Sequence, residues 1–165
     1  MKRSGFARPQ YEPAPATPPR RLERTPNYTT VAYRGGGREK EPRIEIPRLM
    51  LMARRPGQMC LLQIPRVCEG ARDDTCHCHL NGAAYNKGLG MKAHDPFGVR
   101  GCARCHTFLD SSYSATYEER QAAGLVGLAR QIDEWKQQEH TLPDLKDREA
   151  VQTALRFLRL KGFAS

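Results

Sequence analysis

Cys60-Leu61-Leu62-Gln63-Ile64-Pro65-Arg66-Val67-Cys68 and, after a gap of 33 residues, Cys102-Ala103-Arg104-Cys105 are the stretches on which the fold turns. Thiolates are soft, negatively charged ligands, and four of them close a tetrahedral shell around zinc. A Cys-x2-Cys pair lets two sulfurs of one tight turn face one ion. The wider Cys60/Cys68 pair suits a strand–turn entry in which Pro65 and Gly70 help to reverse the chain. The competing reading is a set of buried free thiols. A redox Cys-x-x-Cys pair fits less well, because no βαβ pattern surrounds it. Zinc would also make up for a small core, since residues 49–112 hold few large apolar side chains.

Between these pairs runs Thr75-Cys76-His77-Cys78-His79-Leu80, which reads as a strand. Side chains alternate along a strand, so His77 and His79 share one face and Cys76, Cys78 and Leu80 the other. Cys76 and Cys78 are then small buried residues, or one of them replaces a zinc ligand. His106 follows Cys105 at the start of a helix and points away from the cysteine site, free to serve a second one. Asp95 and Asp110 are candidate oxygen ligands there for Mg2+, Mn2+ or a second Zn2+. Asp110 lies four residues after His106, on the same helical face. His94, in the turn Lys92-Ala93-His94-Asp95-Pro96, reads as a solvated loop residue, and His140 carries no assignment. Leu61-Leu62-Gln63-Ile64 and Phe97 to Arg100 are further strand candidates, and the stretch from Asn81 to Gly90 reads as a loop.

Outward from this region the chain changes character. Residues 1–48 contain 8 of the 12 Pro and a Gly35-Gly36-Gly37 run, with few large apolar residues. Such a segment cannot offset its ordering entropy and is expected to be a disordered basic tail, with Arg43-Ile44-Glu45-Ile46 as one short extended piece that docks. Residues 113–165 lack Cys and look helical. Thr116-Tyr117-Glu118-Glu119 fits a capping box. Leu125, Leu128, Ile132 and Trp135 then form one apolar stripe. Thr141-Leu142-Pro143-Asp144 restarts a helix whose inner face is Val151, Ala154, Leu155 and Leu158, with Gly162 as its stop. The two helices read as a hairpin packed on the cysteine-rich part.

The 165 residues carry 27 Lys plus Arg against 18 Asp plus Glu, a formal charge of +9. That length excludes a large multidomain enzyme, and the charge favours a polyanionic partner, nucleic acid before an acidic membrane surface. No run approaches the roughly 18 apolar residues needed to span a bilayer, and the N-terminus lacks the apolar core of a signal peptide. The expectation is a soluble, cytoplasmic protein in which cysteine serves metal rather than disulfides.

The strings Cys60 to Cys68, Cys78-His79-Leu80, Gly88-Leu89-Gly90-Met91-Lys92 and Gly101-Cys102-Ala103-Arg104-Cys105-His106 resemble the YbcO-like family of phage and prophage proteins. That family is regarded as a branch of the HNH (treble-clef, ββα-metal) endonucleases. The resemblance spans residues 49–112. It implies a small zinc-stapled HNH-like core, which with the helical hairpin read at 113–165 and the tail read at 1–48 makes an α+β chain. It further implies structural zinc at Cys60, Cys68, Cys102 and Cys105, a general base at His79 and a metal-binding His106. Many HNH enzymes have a metal-binding Asp just before the base, where this chain has Cys78. Asp95 is the candidate substitute.

The function so implied is a metal-dependent DNA endonuclease working in the cytoplasm of a bacterial host. His79 would take a proton from the attacking water, and a divalent cation such as Mg2+ at His106 would stabilise developing charge. Lys87, Lys92, Arg100 and Arg104 are expected to grip backbone phosphates. The alternative is a non-catalytic zinc module that binds DNA or a phage recombination or replication partner. A third reading is a phage assembly factor. Oligomeric state is not specified by the sequence.

Overall fold

The computed structural model describes residues 42–164, apart from 71–72, 86, 88–91 and 112–114. Most of the expected tail, residues 1–41, and the Gly88–Met91 string lie outside the described residues. In chain order the elements are α1 (Pro47–Ala53), β1 (Thr75–His79), β2 (Gly98–Cys102), α2 (Ala103–Ser111), α3 (Tyr117–Gln138) and α4 (Leu145–Leu160). This is a mixed α+β chain in which one small sheet is enclosed by helices. Among the described residues, no helix is long and apolar enough to cross a membrane.

β1 and β2 pair antiparallel, in register from Thr75 opposite Cys102 to His79 opposite Gly98. Two strands alone are marginal in water, so the sheet depends on what covers it. α1 reaches the start of β1, where the Thr75 hydroxyl donates to the Ala53 carbonyl at 2.7 Å. α2 continues directly from β2. α3 runs along β2, and the Gln131 side chain accepts the Arg100 amide at 3.0 Å. Gly127 permits this closeness, since a Cβ there would lie 2.7 Å from Leu62 Cδ2 and 3.3 Å from Val99 Cγ1.

The strand expected at 61–64 is not formed. Gln63 and Arg66 take left-handed φ values of 43° and 63°, which interrupt an extended chain and turn it instead. Leu61 bonds to the sheet backbone, donating its amide to the Arg100 carbonyl at 2.8 Å.

The helical end follows its local signals closely. Thr116 and Glu119 satisfy each other's amides at 3.1 and 2.7 Å, the reciprocal bonds of a capping box. The second helix starts later than Thr141: Asp144 is its cap, accepting the amides of Lys146 and Asp147 at 2.8 and 3.4 Å. Val151, Ala154, Leu155 and Leu158 are fully buried, as are Leu128, Ile132 and Trp135 to within a few per cent. Leu125 departs from the expected stripe and is exposed, because the inward positions of that turn belong to Gly124 and Leu128.

Residues 43–46, which composition groups with the tail, dock against the turn before β2. Ile46 is buried, and the Ile44 carbonyl accepts the Asp95 amide at 3.0 Å. α1 is then tied to α4 through Asp147, which is 1% exposed. Arg55 donates to both Asp147 oxygens at 2.5 and 2.9 Å, and Arg48 adds a third bond at 2.6 Å. Burial alone would raise the Asp147 carboxyl pKa, but the two guanidiniums outweigh it and hold the group below the usual carboxylate range.

A folded-state value below the unfolded one stabilises the fold above the unfolded carboxylate pKa of about 4, and that gain fades as pH falls toward the folded value. Asp147→Asn should therefore cost about 3 kcal/mol near neutral pH, measured by urea unfolding, with the deficit shrinking below about pH 4. An unchanged midpoint at pH 7 would show that this contact does not hold α1 to α4.

Candidate metal and histidine sites

Two stretches far apart in sequence supply the four-cysteine group. Cys60 and Cys68 flank the left-handed turn at 63–66, Cys102 ends β2, and Cys105 sits in the first turn of α2. Their sulfurs all lie within 4.8 Å of one another, and Cys60, Cys102 and Cys105 are buried. All six cysteines are free thiols, so disulfides play no part. The Cys60 thiol is drawn down to about 4, chiefly by the hydrogen bond from Cys105, helped by the amides of Gln63 and Cys102 against the cost of burial. Cys105 is correspondingly pushed up by the same contact. The Gly70 amide donates to Cys68 Sγ at 3.4 Å. Amides aimed at sulfur stabilise thiolate, and the donor set fits a tetrahedral soft metal ion.

Strand parity separates His77 and His79 from Cys76 and Cys78. His77 is 9% exposed, and its Nε2 contacts the Asp95 carbonyl at 2.8 Å. Desolvation lowers its pKa to about 4, so this imidazole is neutral near physiological pH. Gly98 makes room for the ring, since a Cβ there would lie 1.9 Å from His77 Nε2. His79, on the same face, keeps a side-chain exposure of 21% and sets Nε2 3.0 Å from Asp95 Oδ1. The rings of His77 and His79 meet edge to face with centroids 5.1 Å apart.

Asp95 is completely buried. Arg43 Nη2 donates to its Oδ1 at 2.5 Å and the Ile46 amide to its Oδ2 at 2.6 Å. Burial would raise its pKa, yet His79, the Ile46 amide and Arg43 together hold it below the usual range. The cation pair expected from Asp95 and His106 is not brought together. Both Asp95 oxygens are already occupied, and among the described residues the two do not fall in one ligand group.

His106 lies instead with Cys76 and Cys78, on the other face of β1. Cys76 Sγ is 3.7 Å from Cys78 Sγ and 3.6 Å from His106 Nδ1, and the three donors lie within 4.8 Å of one another. Bonds from Cys78 and His106 bring the Cys76 thiol down to about 5, while Cys78 is pushed up beside it. The Cys76 contact in turn raises His106. Asp110, as its helical spacing suggested, contacts His106 Nε2 at 3.0 Å. Cysteines two apart on a strand, with the facing helix carrying a histidine, were the signal for this group.

The basic residues expected to hold phosphate divide differently. Arg100 is buried and makes a two-pronged pair with Glu134 at 2.7 and 2.6 Å, so it is a strand–helix tie rather than a surface cation. Arg104 is exposed beside Glu69, Lys87 sits 3.7 Å from Asp110, and Lys92 is exposed. His94 corrects the solvated-loop expectation. It is 1% exposed, its Nδ1 accepts the Ile44 amide at 3.0 Å, and its ring lies 4.9 Å from that of Phe157.

Sheet, cysteine group and histidine pair together define a small α+β protein built around a sulfur cluster with the geometry to hold a metal ion. Residues 50–140 match the family model described as "Putative nuclease YbcO", and the chain belongs to that family. A solved structure described as "Structure of a putative bacteriophage protein from Escherichia coli str. K-12 substr. MG1655" is 23% identical, with 52% of this chain and 93% of that one covered and a TM-score of 0.41. No curated protein matches the chain.

Structural metal sites of this kind contribute roughly 10 kcal/mol or more to folding. Cys105→Ser should therefore lose the bound metal and its cooperative melting transition together, followed by elemental analysis and calorimetry. Wild-type metal content and melting in this variant would rule out a structural role for the four sulfurs.

Proposed function

We propose that the protein is a metal-dependent DNA endonuclease of the HNH type, with structural zinc at Cys60, Cys68, Cys102 and Cys105 and His79 as general base. The observation that carries this reading is the pair between His79 Nε2 and the buried Asp95 carboxylate at 3.0 Å. A carboxylate on one ring nitrogen fixes the imidazole tautomer with the proton on that side. His79 Nδ1 is then the lone-pair nitrogen that takes a proton from water as the water attacks phosphorus. Asp95 orients the ring and balances the charge it acquires. Arg43 and the Ile46 amide keep Asp95 ionised and in place. His77, neutral and packed against the His79 ring, limits its rotation without adding a competing charge.

The order β1, β2, α2, with the base at the end of β1 and His106 on α2, agrees with a ββα-metal core. His106 lies with Cys76 and Cys78 on the other face of β1 from His79, so the divalent cation of the cleavage step is not assigned to it. Lys87, Lys92 and Arg104 remain candidate cations for the phosphate backbone, Lys87 being the one beside Asp110, and Arg100 is not among them. The family description as a nuclease and the net charge of +9 both favour DNA as the partner. A DNA-binding module without cleavage is the second reading. It is favoured by the thiol of Cys78 where many HNH enzymes carry a metal-binding Asp.

Purified protein should cut duplex, branched or single-stranded DNA in the presence of Mg2+, Mn2+ or Zn2+. His79→Ala should slow cleavage at least ~100-fold with folding intact, the range expected for loss of a general base. Equal cutting by wild type and His79→Ala would remove His79 from the chemistry. Salt-dependent binding with no cleavage by wild type would favour the second reading.

A further inference from the structure

We propose that Cys76 Sγ, Cys78 Sγ and His106 Nδ1 form a second metal site, distinct from the four-cysteine group and selective for a soft, zinc-class ion. Tetrahedral zinc with ordinary Zn–S and Zn–N bonds sets sulfurs about 3.8 Å apart and sulfur and nitrogen about 3.6 Å apart. The observed separations are 3.7 Å and 3.6 Å. Both edges that meet at Cys76 Sγ therefore already match the polyhedron that the ion would complete, and the third separation is within 4.8 Å.

The surroundings support ligation through Nδ1. Asp110 Oδ2 lies 3.0 Å from His106 Nε2, which keeps the ring proton on that nitrogen and leaves the Nδ1 lone pair facing the sulfurs. Asn81 Nδ2 in turn donates to Asp110 Oδ1 at 2.9 Å and to the Leu109 carbonyl at 3.1 Å. Metal-bound histidines are commonly held by such a carboxylate, itself hydrogen-bonded. Gly101, across the sheet, leaves room for the deeper thiol, since a Cβ there would stand 2.8 Å from Cys78 Sγ.

Two thiolates and an imidazole prefer zinc to magnesium, so the ion differs in class from the hard cation that the family resemblance implies at His106. Cys78 is fully buried, while Cys76 and His106 are half-buried. The fourth vertex consequently lies toward solvent and takes an exchangeable water or anion, as in zinc sites with three protein ligands. Arg54 and Lys87 are nearby positive charges on that side. The assignment rests on donor geometry and not on His79, which carries the nuclease reading. Its test reads metal content, so either can fail without the other.

Full-length protein loaded with zinc and dialysed should retain a second equivalent beyond that of the four-cysteine group, in the presence of excess Mg2+. Cobalt added to metal-free protein should give a second set of tetrahedral, thiolate-containing absorption bands. His106→Ala, on a partly exposed helix face, should lose that equivalent and those bands while retaining the first. Asp110→Asn should weaken the second site by roughly 10- to 100-fold, the usual effect of removing the partner of a ligating histidine. A single zinc per wild-type chain would overturn the assignment, as would a second equivalent that survives His106→Ala or is displaced by Mg2+. In either case Cys76 and Cys78 would be no more than hydrogen-bonded thiols.

Discussion

The buried carboxylate of Asp95 is the interaction on which the described structure depends. An ionised group without exposure survives only if its lone pairs are taken by donors and opposite charge. Asp95 draws those partners from three places: Arg43 and the Ile46 amide from the segment before α1, and His79 from the end of β1. Its own amide and carbonyl add Ile44 and His77. One residue thus binds the docked segment, the turn into β2 and both histidines of β1. Placing a metal ion on Asp95 would mean giving up Arg43 or the Ile46 amide inside the fold. That is why orientation of His79, rather than metal ligation, is the role its surroundings favour.

β1 then separates two chemistries by nothing more than alternation. Thr75, His77 and His79 turn toward α1 and Asp95, and Cys76 and Cys78 toward α2. A two-stranded sheet needs cover on both faces, and each cover brings its own donors. On one side these are carboxylate and imidazole, which suit proton transfer. On the other they are sulfur and imidazole, which suit a soft ion. A one-residue slip in the pairing of β1 would exchange the two sets, so Gly98, which admits only the His77 ring at its position, also protects the register.

Features carried by local chemistry were legible in the sequence. The cysteine spacing pointed to a four-sulfur group, Thr116 and Glu119 to a reciprocal cap, and the period of α4 to Val151, Ala154, Leu155 and Leu158 as its inner face. Features decided by distant partners were not. Arg100 looked like a phosphate contact because Glu134, far along the chain, is invisible to local reading. His94 looked solvated because its cover comes from Ile44 and Phe157. The Leu61–Ile64 run has strand composition, but the left-handed residues Gln63 and Arg66 bring Cys60 and Cys68 round to Cys102 and Cys105 instead. Closure of the sulfur group overrides a weak local preference.

The same distinction applies to charge. A net +9 invites a picture of an evenly basic surface, yet several of the described arginines are engaged with carboxylates. Arg43 is held by Asp95, Arg48 and Arg55 by Asp147, and Arg100 by Glu134, while Arg104 faces Glu69. The first three of these partnerships fasten chain segments together, and their positive charge is largely cancelled where it stands. The attraction for a polyanion therefore cannot be assigned in proportion to basic residues within 42–164. Residues 1–41 contribute nine Lys or Arg against four Glu, a net charge density higher than that of residues 42–165. On the nuclease reading proposed above, affinity for nucleic acid and positioning of a scissile phosphate would be separable tasks: the first would scale with salt through the whole chain, whereas the second would depend on the few groups beside His79.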